Sequence, residues 1–205
     1  MRNNERKIMK FLVNKIVCAI GCVARNNNSK LNAKHIAFAA MAVALAVATS
    51  MIKVIKLPMG GSVTLFSMLF IVLIGYWYGI KTGLAAALAY GVLQLLLDPY
   101  ILNIPQVLLD YILGFGALGL SGIFSNSKHG LIKGYIVGVI GRFICSFLSG
   151  WIFFAVYTPE FFNSAILYSI VYNGSYIGLE AAVTLVVISL PPVNKALAYV
   201  KNNLV

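Results

Sequence analysis

The chain has 205 residues, of which 60% are hydrophobic and 10% charged, and its mean hydropathy is +0.90. A soluble domain of this length lacks the polar surface to cover so much apolar material, so the composition excludes that class and predicts a membrane protein. The formal net charge of +11 is also common in nucleic-acid-binding proteins, but basic residues at the inner membrane surface account for it, and no nucleic-acid partner is expected.

Residues 1–34 form a basic N-terminal extension with an apolar centre, as a signal peptide has. The extension lacks a small-x-small cleavage site, and Arg25 and three asparagines follow the apolar centre directly. An uncleaved interfacial helix is therefore favoured over a signal peptide. The three cysteines, Cys18, Cys22 and Cys145, are too few and too scattered for a disulfide framework or a metal site.

Apolar windows of roughly 17–25 residues, the length that a helix needs to cross a bilayer, recur along the rest of the chain. Six spans are predicted, at about residues 36–52, 62–80, 82–98, 104–124, 131–156 and 165–190. The alternation of a β-barrel is absent, so the sequence predicts an all-α integral membrane protein, a six-transmembrane-helix bundle. Residues 35–192 form this membrane domain, and residues 193–205 form a cytoplasmic tail.

The basic residues predict the orientation of the bundle. Thirteen of the sixteen Lys and Arg residues fall in the N-terminal segment, in the connections after the second and fourth spans, and in the tail. By the positive-inside rule these parts face the cytoplasm, so both termini are cytoplasmic and the protein is multi-pass in the cell membrane. The opposite loops are richer in aromatic and polar residues, which favours a ligand site that opens outward.

The first span carries alanines at helical spacing. Ala40, Ala44 and Ala48 recur every four residues, and Ala42 with Ala46 widen the small-residue face. Such a face lets another helix approach closely. Two interpretations stay open at this point, namely docking of a partner helix and tight packing within the bundle.

The later spans carry polar stripes, in which side chains three or four residues apart share one helix face. The stripes are Gln106, Asp110 and the adjacent Tyr111 on span four, Arg142, Ser146, Gly150 and Phe154 on span five, and Asn173, Tyr176 and Glu180 on span six. Ionisable residues are costly inside a membrane and typically mark an interior site. The alternative is that Arg142 pairs with Asp110 or Glu180 as an internal brace.

Aromatic residues accompany these stripes in the outer half of the bundle. They are Tyr100, Tyr111, Phe154, Tyr168 and Tyr172. A carboxylate beside aromatic faces suits a flat cationic ring, through ion pairing and cation–π attraction. The pattern therefore predicts a heteroaromatic cation as the ligand.

Four segments, in matching order, resemble the thiamine-specific S component of energy-coupling-factor (ECF) vitamin transporters. They are LPMGGSVTL (57–65), PQVLLDY (105–111), SGWIFF (149–154) with YTPE (157–160), and LYSIVYNGS (167–175). The resemblance extends over about residues 36–190. It implies a six-helix, membrane-embedded subunit that binds thiamine from outside the cell and works with a separate transmembrane coupling protein and two ATPase subunits. No cofactor and no metal are expected.

The resemblance also implies roles for individual residues. The residues expected to surround the vitamin are Asp110, Tyr111, Tyr100, Arg142, Ser146, Gly150, Phe154, Tyr168 and Asn173. In the family, alanines spaced as Ala40, Ala44 and Ala48 are here contact the coupling protein. The family's acid is usually glutamate where this chain has Asp110, and its histidine and tryptophan on span five correspond to Ser146 and Phe154. These departures point to thiamine or a close relative, such as a precursor.

Other function classes are less compatible with the sequence. No phosphate-binding loop of the GxxxxGK[ST] type is present, so the chain is not expected to hydrolyse ATP itself. The histidines, His35 and His129, lie near span ends, and no nucleophile with a base accompanies them, so an enzyme is not expected. A stand-alone secondary transporter, or a scaffold subunit of another membrane assembly, is the alternative, although no inverted repeat is visible.

Overall fold

The computed structural model describes residues 33–160 and 162–203. The interfacial helix predicted for residues 1–34 therefore lies outside the described residues, except that Ala33 and Lys34 begin the first helix. Helices α1 to α7 are Ala33–Ser50, Ser67–Tyr78, Ile80–Leu97, Ile104–Phe124, Gly130–Phe153, Ala165–Ser189 and Pro191–Asn203. Strands β1 (Lys53–Lys56) and β2 (Ser62–Thr64) pair antiparallel between α1 and α2.

Four helices, α3 to α6, are long and apolar enough to cross a membrane. Two shorter apolar helices precede them, His35–Ser50 within α1 and Ser67–Tyr78 as α2. Helices are the spanning structures that satisfy every backbone polar group internally in hydrocarbon. The described part of the chain is thus the helical bundle of a multi-pass membrane protein, with a small hairpin at one end.

The second predicted span, 62–80, differs from the structure at its start. Residues 62–64 form β2, and α2 begins only at Ser67. Ser62 and Thr64 alternate with buried Val63, which is the period-two pattern of a strand. The helix that remains has 12 residues, and at 1.5 Å per residue it is about 18 Å long, shorter than the hydrocarbon core of about 30 Å.

Helix α2 lies at the centre of the bundle. Eight of its residues are buried, among them Met68, Ile71 and Ile74, and the buried core continues into α1, α3, α4, α5 and α6. A helix that is apolar on all sides is typical of such a central position. Helices α1, α3, α4 and α5 pack against α2, and the hairpin precedes its N-terminal end.

The alanines of α1 divide between two faces. Ala42 and Ala46 are buried against the core, whereas Ala40, Ala44 and Ala48 are exposed. The prediction that Ala42 and Ala46 widen one small-residue face is therefore wrong, because they point to the opposite side of the helix from the exposed three. The exposed alanines form a narrow stripe without a packing partner in the described bundle.

Helix α4 changes its backbone hydrogen bonding along its length. An α-helical start, Ile104–Val107, leads into a π-helical segment, Leu108–Leu113, and the helix ends as a 3₁₀-helix over Ala117–Phe124. The wide π turn contains Asp110 and Tyr111. Such turns occur frequently at functional sites, because they turn side chains away from the regular helical positions.

Candidate functional site

A cavity of about 420 Å³ lies beneath the hairpin, at one end of the bundle. Its walls come from the hairpin, the adjoining ends of α1 and α2, helices α3 to α6, and the connections that follow α3 and α5. The volume falls within the range of roughly 300–1,000 Å³ that is typical of small-molecule sites. The cavity is thus large enough for a ligand with two small rings.

All nine residues predicted to surround a ligand line this one cavity. They are Tyr100, Asp110, Tyr111, Arg142, Ser146, Gly150, Phe154, Tyr168 and Asn173. Their side chains come from three helices and two connecting segments, so only the folded bundle brings them together. Glu180, which shares a sequence stripe with Asn173 and Tyr176, does not line the cavity.

The two carboxylate oxygens of Asp110 differ, because Oδ2 accepts internal hydrogen bonds and Oδ1 is free. Gln106 Nε2 and Ser149 Oγ each donate a hydrogen bond of 2.7 Å to Oδ2. The structure gives Oδ1 no hydrogen bond from the residues it describes. Gln106 is itself buried, and its backbone N–H is capped by Asn103 Oδ1 at 2.8 Å, so the acid is held firmly while Oδ1 stays open to a ligand.

Tyr111 fixes the loop that carries Tyr100. Its hydroxyl accepts a hydrogen bond from the Tyr100 N–H at 2.8 Å and donates one to the Asp98 carbonyl at 3.0 Å. The Tyr100 ring stacks on Phe154, with ring centroids 5.7 Å apart and planes inclined by 25°. At this separation the two rings contact each other, so a ligand ring either stacks on an outer face of the pair or separates them.

Gly150 allows α5 and α6 to approach closely at the cavity wall. A Cβ atom at this position would lie 2.3 Å from Ser169 Oγ and 2.9 Å from Asn173 Nδ2. Ser169 Oγ donates to the Phe147 carbonyl at 2.7 Å, and Asn173 Nδ2 donates to the Ser169 carbonyl at 2.9 Å. The position of Asn173 in the wall therefore depends on the absence of a side chain at residue 150.

Arg142 is not part of an internal brace. Its guanidinium carbon lies 4.0 Å from the centroid of the Phe115 ring, and its buried Nη1 finds no hydrogen-bond acceptor among the described residues. Within the same part of the chain an ion pair joins Lys53 to Asp98, and none joins Arg142 to Asp110 or Glu180. The cavity wall thus holds a cationic donor that the protein leaves without an acceptor.

The hairpin tip, residues 58–61, forms one wall of the cavity and was assigned no role from the sequence. Met59, Gly60 and Gly61 line the cavity. Tyr172 Oη accepts a hydrogen bond from the Gly61 N–H at 3.0 Å and donates to the Pro58 carbonyl. Gly60 has a φ of +91°, a left-handed conformation that glycine adopts readily. The Gly60-Gly61 pair was therefore the sequence signal that could have predicted a tight turn here.

Ser149 and Ser169 were also missed, because serine on a membrane helix is common and carries little signal by itself. Their importance comes from contacts across helices, with Asp110 and with the α5 backbone. In the described residues no group of three His, Cys, Asp or Glu side chains could hold a metal ion. The arrangement combines a carboxylate oxygen, a guanidinium donor and aromatic faces, which suits binding of a polar ring.

Known proteins resemble this chain in sequence and in fold. A family model described as thiamine transporter protein matches residues 36–199. The chain is 31% identical over 136 residues to the thiamine transporter ThiT of Bacillus subtilis (strain 168), and the match covers 60% of this chain and 70% of that relative. A solved structure of ThiT from Listeria monocytogenes has the same fold, with a TM-score of 0.62 at 24% identity over 77% of this chain and 94% of that chain.

Proposed function

The chain belongs to the thiamine transporter protein family, and we propose that it binds thiamine, or a close thiamine relative, as the S component of an ECF-type ATP-driven importer. A member of this family is a transporter and not an enzyme. The observation that carries the proposal is the cavity in which a free oxygen of Asp110 accompanies the stacked rings of Tyr100 and Phe154.

Thiamine offers the groups that this cavity complements. Its aminopyrimidine ring has an amine that donates to a carboxylate, and its thiazolium ring is a flat cation. Asp110 Oδ1 is the acceptor for the amine or the counter-charge for the cation, and a charged hydrogen bond of this kind contributes about 1.5–3 kcal/mol. The aromatic faces supply stacking and cation–π attraction for the rings.

Arg142 complements the remaining polar atoms of such a ligand. Its Nη1 has no acceptor among the described residues, and a buried donor left in that state is unfavourable. A ring nitrogen or a hydroxyl of the ligand would satisfy it. Ser146 and Phe154 offer less stacking area than a histidine and a tryptophan would, which is the reason for including close relatives of thiamine.

The proposal includes six membrane crossings with both termini in the cytoplasm of the cell that makes the protein. Helices α1 and α2 provide the two crossings beyond those of the four longer helices, and the hairpin lies on the outer side. The support is the distribution of basic residues, of which Lys81, Lys128 and Lys133 lie at the end of the bundle away from the hairpin. In this orientation the cavity opens outward, toward the vitamin.

Transport would require partners that this chain does not contain. We assign coupling to a separate transmembrane protein and ATP hydrolysis to two ATPase subunits. The exposed stripe of Ala40, Ala44 and Ala48 supports this assignment, because small residues let a partner helix pack closely. Membrane lipid surrounds the remaining apolar surface.

Isothermal titration calorimetry of the purified, detergent-solubilised chain tests the binding function directly. We expect saturable binding of thiamine by the chain alone, and weaker binding of its separate pyrimidine and thiazole halves, because each half fills only part of the cavity. Absence of binding by thiamine, its phosphates and both halves would contradict the proposal. Accumulation of thiamine in liposomes by the chain alone, driven by an ion gradient, would favour a secondary transporter.

A further inference from the structure

Glu180 carries a buried carboxylate and does not line the binding cavity. It lies on α6, is 5% exposed, and belongs to no ion pair within the described residues. A buried carboxylate without a counter-charge is strongly unfavourable unless hydrogen bonds replace the water that it has lost. The donors that surround Glu180 therefore indicate what the residue does.

All of these donors come from one short turn, residues 64–68, which we call the root turn because it joins the hairpin to α2. Oε2 accepts hydrogen bonds from the Thr64 N–H at 3.2 Å and from Thr64 Oγ1 at 2.7 Å. Oε1 accepts from Ser67 Oγ at 3.2 Å and from the Met68 N–H at 3.3 Å. Both carboxylate oxygens are thus occupied by a segment more than a hundred residues away in sequence.

The root turn has a backbone conformation that needs such support. Phe66, at its centre, has a φ of +63°, a left-handed conformation that is unfavourable for a bulky residue. Phe66 also occupies the N-cap position of α2 and provides no side-chain cap. Glu180 holds the turn on both sides of Phe66, and from α6 it supplies an acceptor for the Met68 N–H in the first turn of α2.

The root turn determines where the hairpin tip lies. Strands β1 and β2 are paired from Lys56 and Ser62 at the tip to Lys53 and Thr64 at the root, so a displacement of the root would displace the tip with it. Helix α6 holds this unit at the tip, by Tyr168 and Tyr172, and at the root, by Glu180 about two turns beyond Tyr172. Thr64 and Ser67 at the root also line the cavity, whereas Glu180 itself does not.

We propose that Glu180 is a positioning residue of the binding site, which fixes the root turn so that the hairpin tip stays over the cavity and slows the escape of a bound ligand. The identity of that ligand rests on the proposed function, but the mechanical role does not. Loss of the carboxylate should loosen the hairpin in the ligand-free protein. It should also accelerate ligand dissociation more than it slows association.

The test variant is Glu180→Gln, which keeps the size of the side chain but replaces one acceptor oxygen by an NH₂ donor that faces other donors. The matched control is Ser121→Ala, which removes a buried hydrogen bond of 3.1 Å from Ser121 Oγ in α4 to the Val72 carbonyl in α2. This hydrogen bond lies away from the hairpin. Two measurements are made on each variant. The first is amide hydrogen exchange of residues 53–66 without ligand, and the second is the thiamine dissociation rate.

We expect Glu180→Gln to raise both rates by about tenfold or more, since at least two of the four hydrogen bonds are lost. The Ser121→Ala control should lower the melting temperature and leave both rates unchanged. If Glu180→Gln lowers the melting temperature but leaves hairpin exchange and dissociation as in the wild type, Glu180 is only structural and the proposal is overturned.

Two further outcomes are distinguishable. If the wild-type chain does not bind thiamine, the proposed function fails, while exchange in the ligand-free protein still tests the role of Glu180. If Glu180→Gln does not fold, Ser67→Ala removes one donor to Oε1 and is measured by hydrogen exchange alone. Faster hairpin exchange in Ser67→Ala supports the proposal, and unchanged exchange overturns it.

Discussion

Replacement of Asp110 by asparagine separates ligand binding from internal support, because the two carboxylate oxygens have different surroundings. Oδ2 accepts from Gln106 and Ser149, both at 2.7 Å, whereas Oδ1 has no hydrogen bond within the described residues. An asparagine with its carbonyl oxygen at the Oδ2 position keeps both internal hydrogen bonds. It loses the negative charge and turns the free acceptor into a donor.

The expected effect on affinity follows from this geometry. A charged hydrogen bond to the ligand contributes about 1.5–3 kcal/mol, so Asp110→Asn should weaken thiamine binding by roughly 10- to 150-fold. The melting temperature of the ligand-free protein should change little, because the two internal hydrogen bonds remain. Calorimetric titration gives the first quantity, and thermal unfolding in detergent gives the second.

Ser149→Ala provides the matched control. It removes one of the hydrogen bonds to Oδ2 but keeps the charge and the free Oδ1, so its effect on affinity should be smaller than that of Asp110→Asn. If Asp110→Asn binds thiamine as tightly as the wild type and unfolds at a lower temperature, Asp110 is a structural residue. The assignment of the carboxylate to the ligand would then be refuted.

Two other substitutions test the wall and the partner surface. Gly150→Ala should weaken ligand binding, because the added Cβ would lie 2.3 Å from Ser169 Oγ. When Ser169→Ala is added, calorimetry should show that affinity is partly restored. If affinity is not restored, this steric explanation is wrong. Replacement of Ala40 and Ala44 by leucine should abolish thiamine uptake by cells but leave binding by the purified chain intact, since both residues are exposed. Ala42→Leu is the control. Because Ala42 is buried, this substitution should lower the melting temperature instead. Loss of thiamine binding in the Ala40 and Ala44 variant would contradict a separate partner surface.

Much of this protein follows from its sequence alone, because hydrocarbon constrains a chain severely. Long apolar windows predict helices, and five of the six predicted spans correspond closely to observed helices. The few polar residues that such helices tolerate mark an interior site, and helical periodicity is local, so Asp110, Arg142 and Asn173 could be placed on stripes without a structure. All three line the cavity.

Contacts between distant segments were decided only by the tertiary structure. Glu180 has the same sequence signal as Arg142, yet it does not line the cavity. Its carboxylate instead accepts hydrogen bonds from Thr64, Ser67 and Met68, which are 112 to 116 residues away. Packing against other elements likewise decides that Ala42 is buried while Ala44 is exposed. It also decides that the start of the second predicted span forms a strand. Helical periodicity tells which side chains share a face, but the direction of that face is set by its neighbours in the bundle.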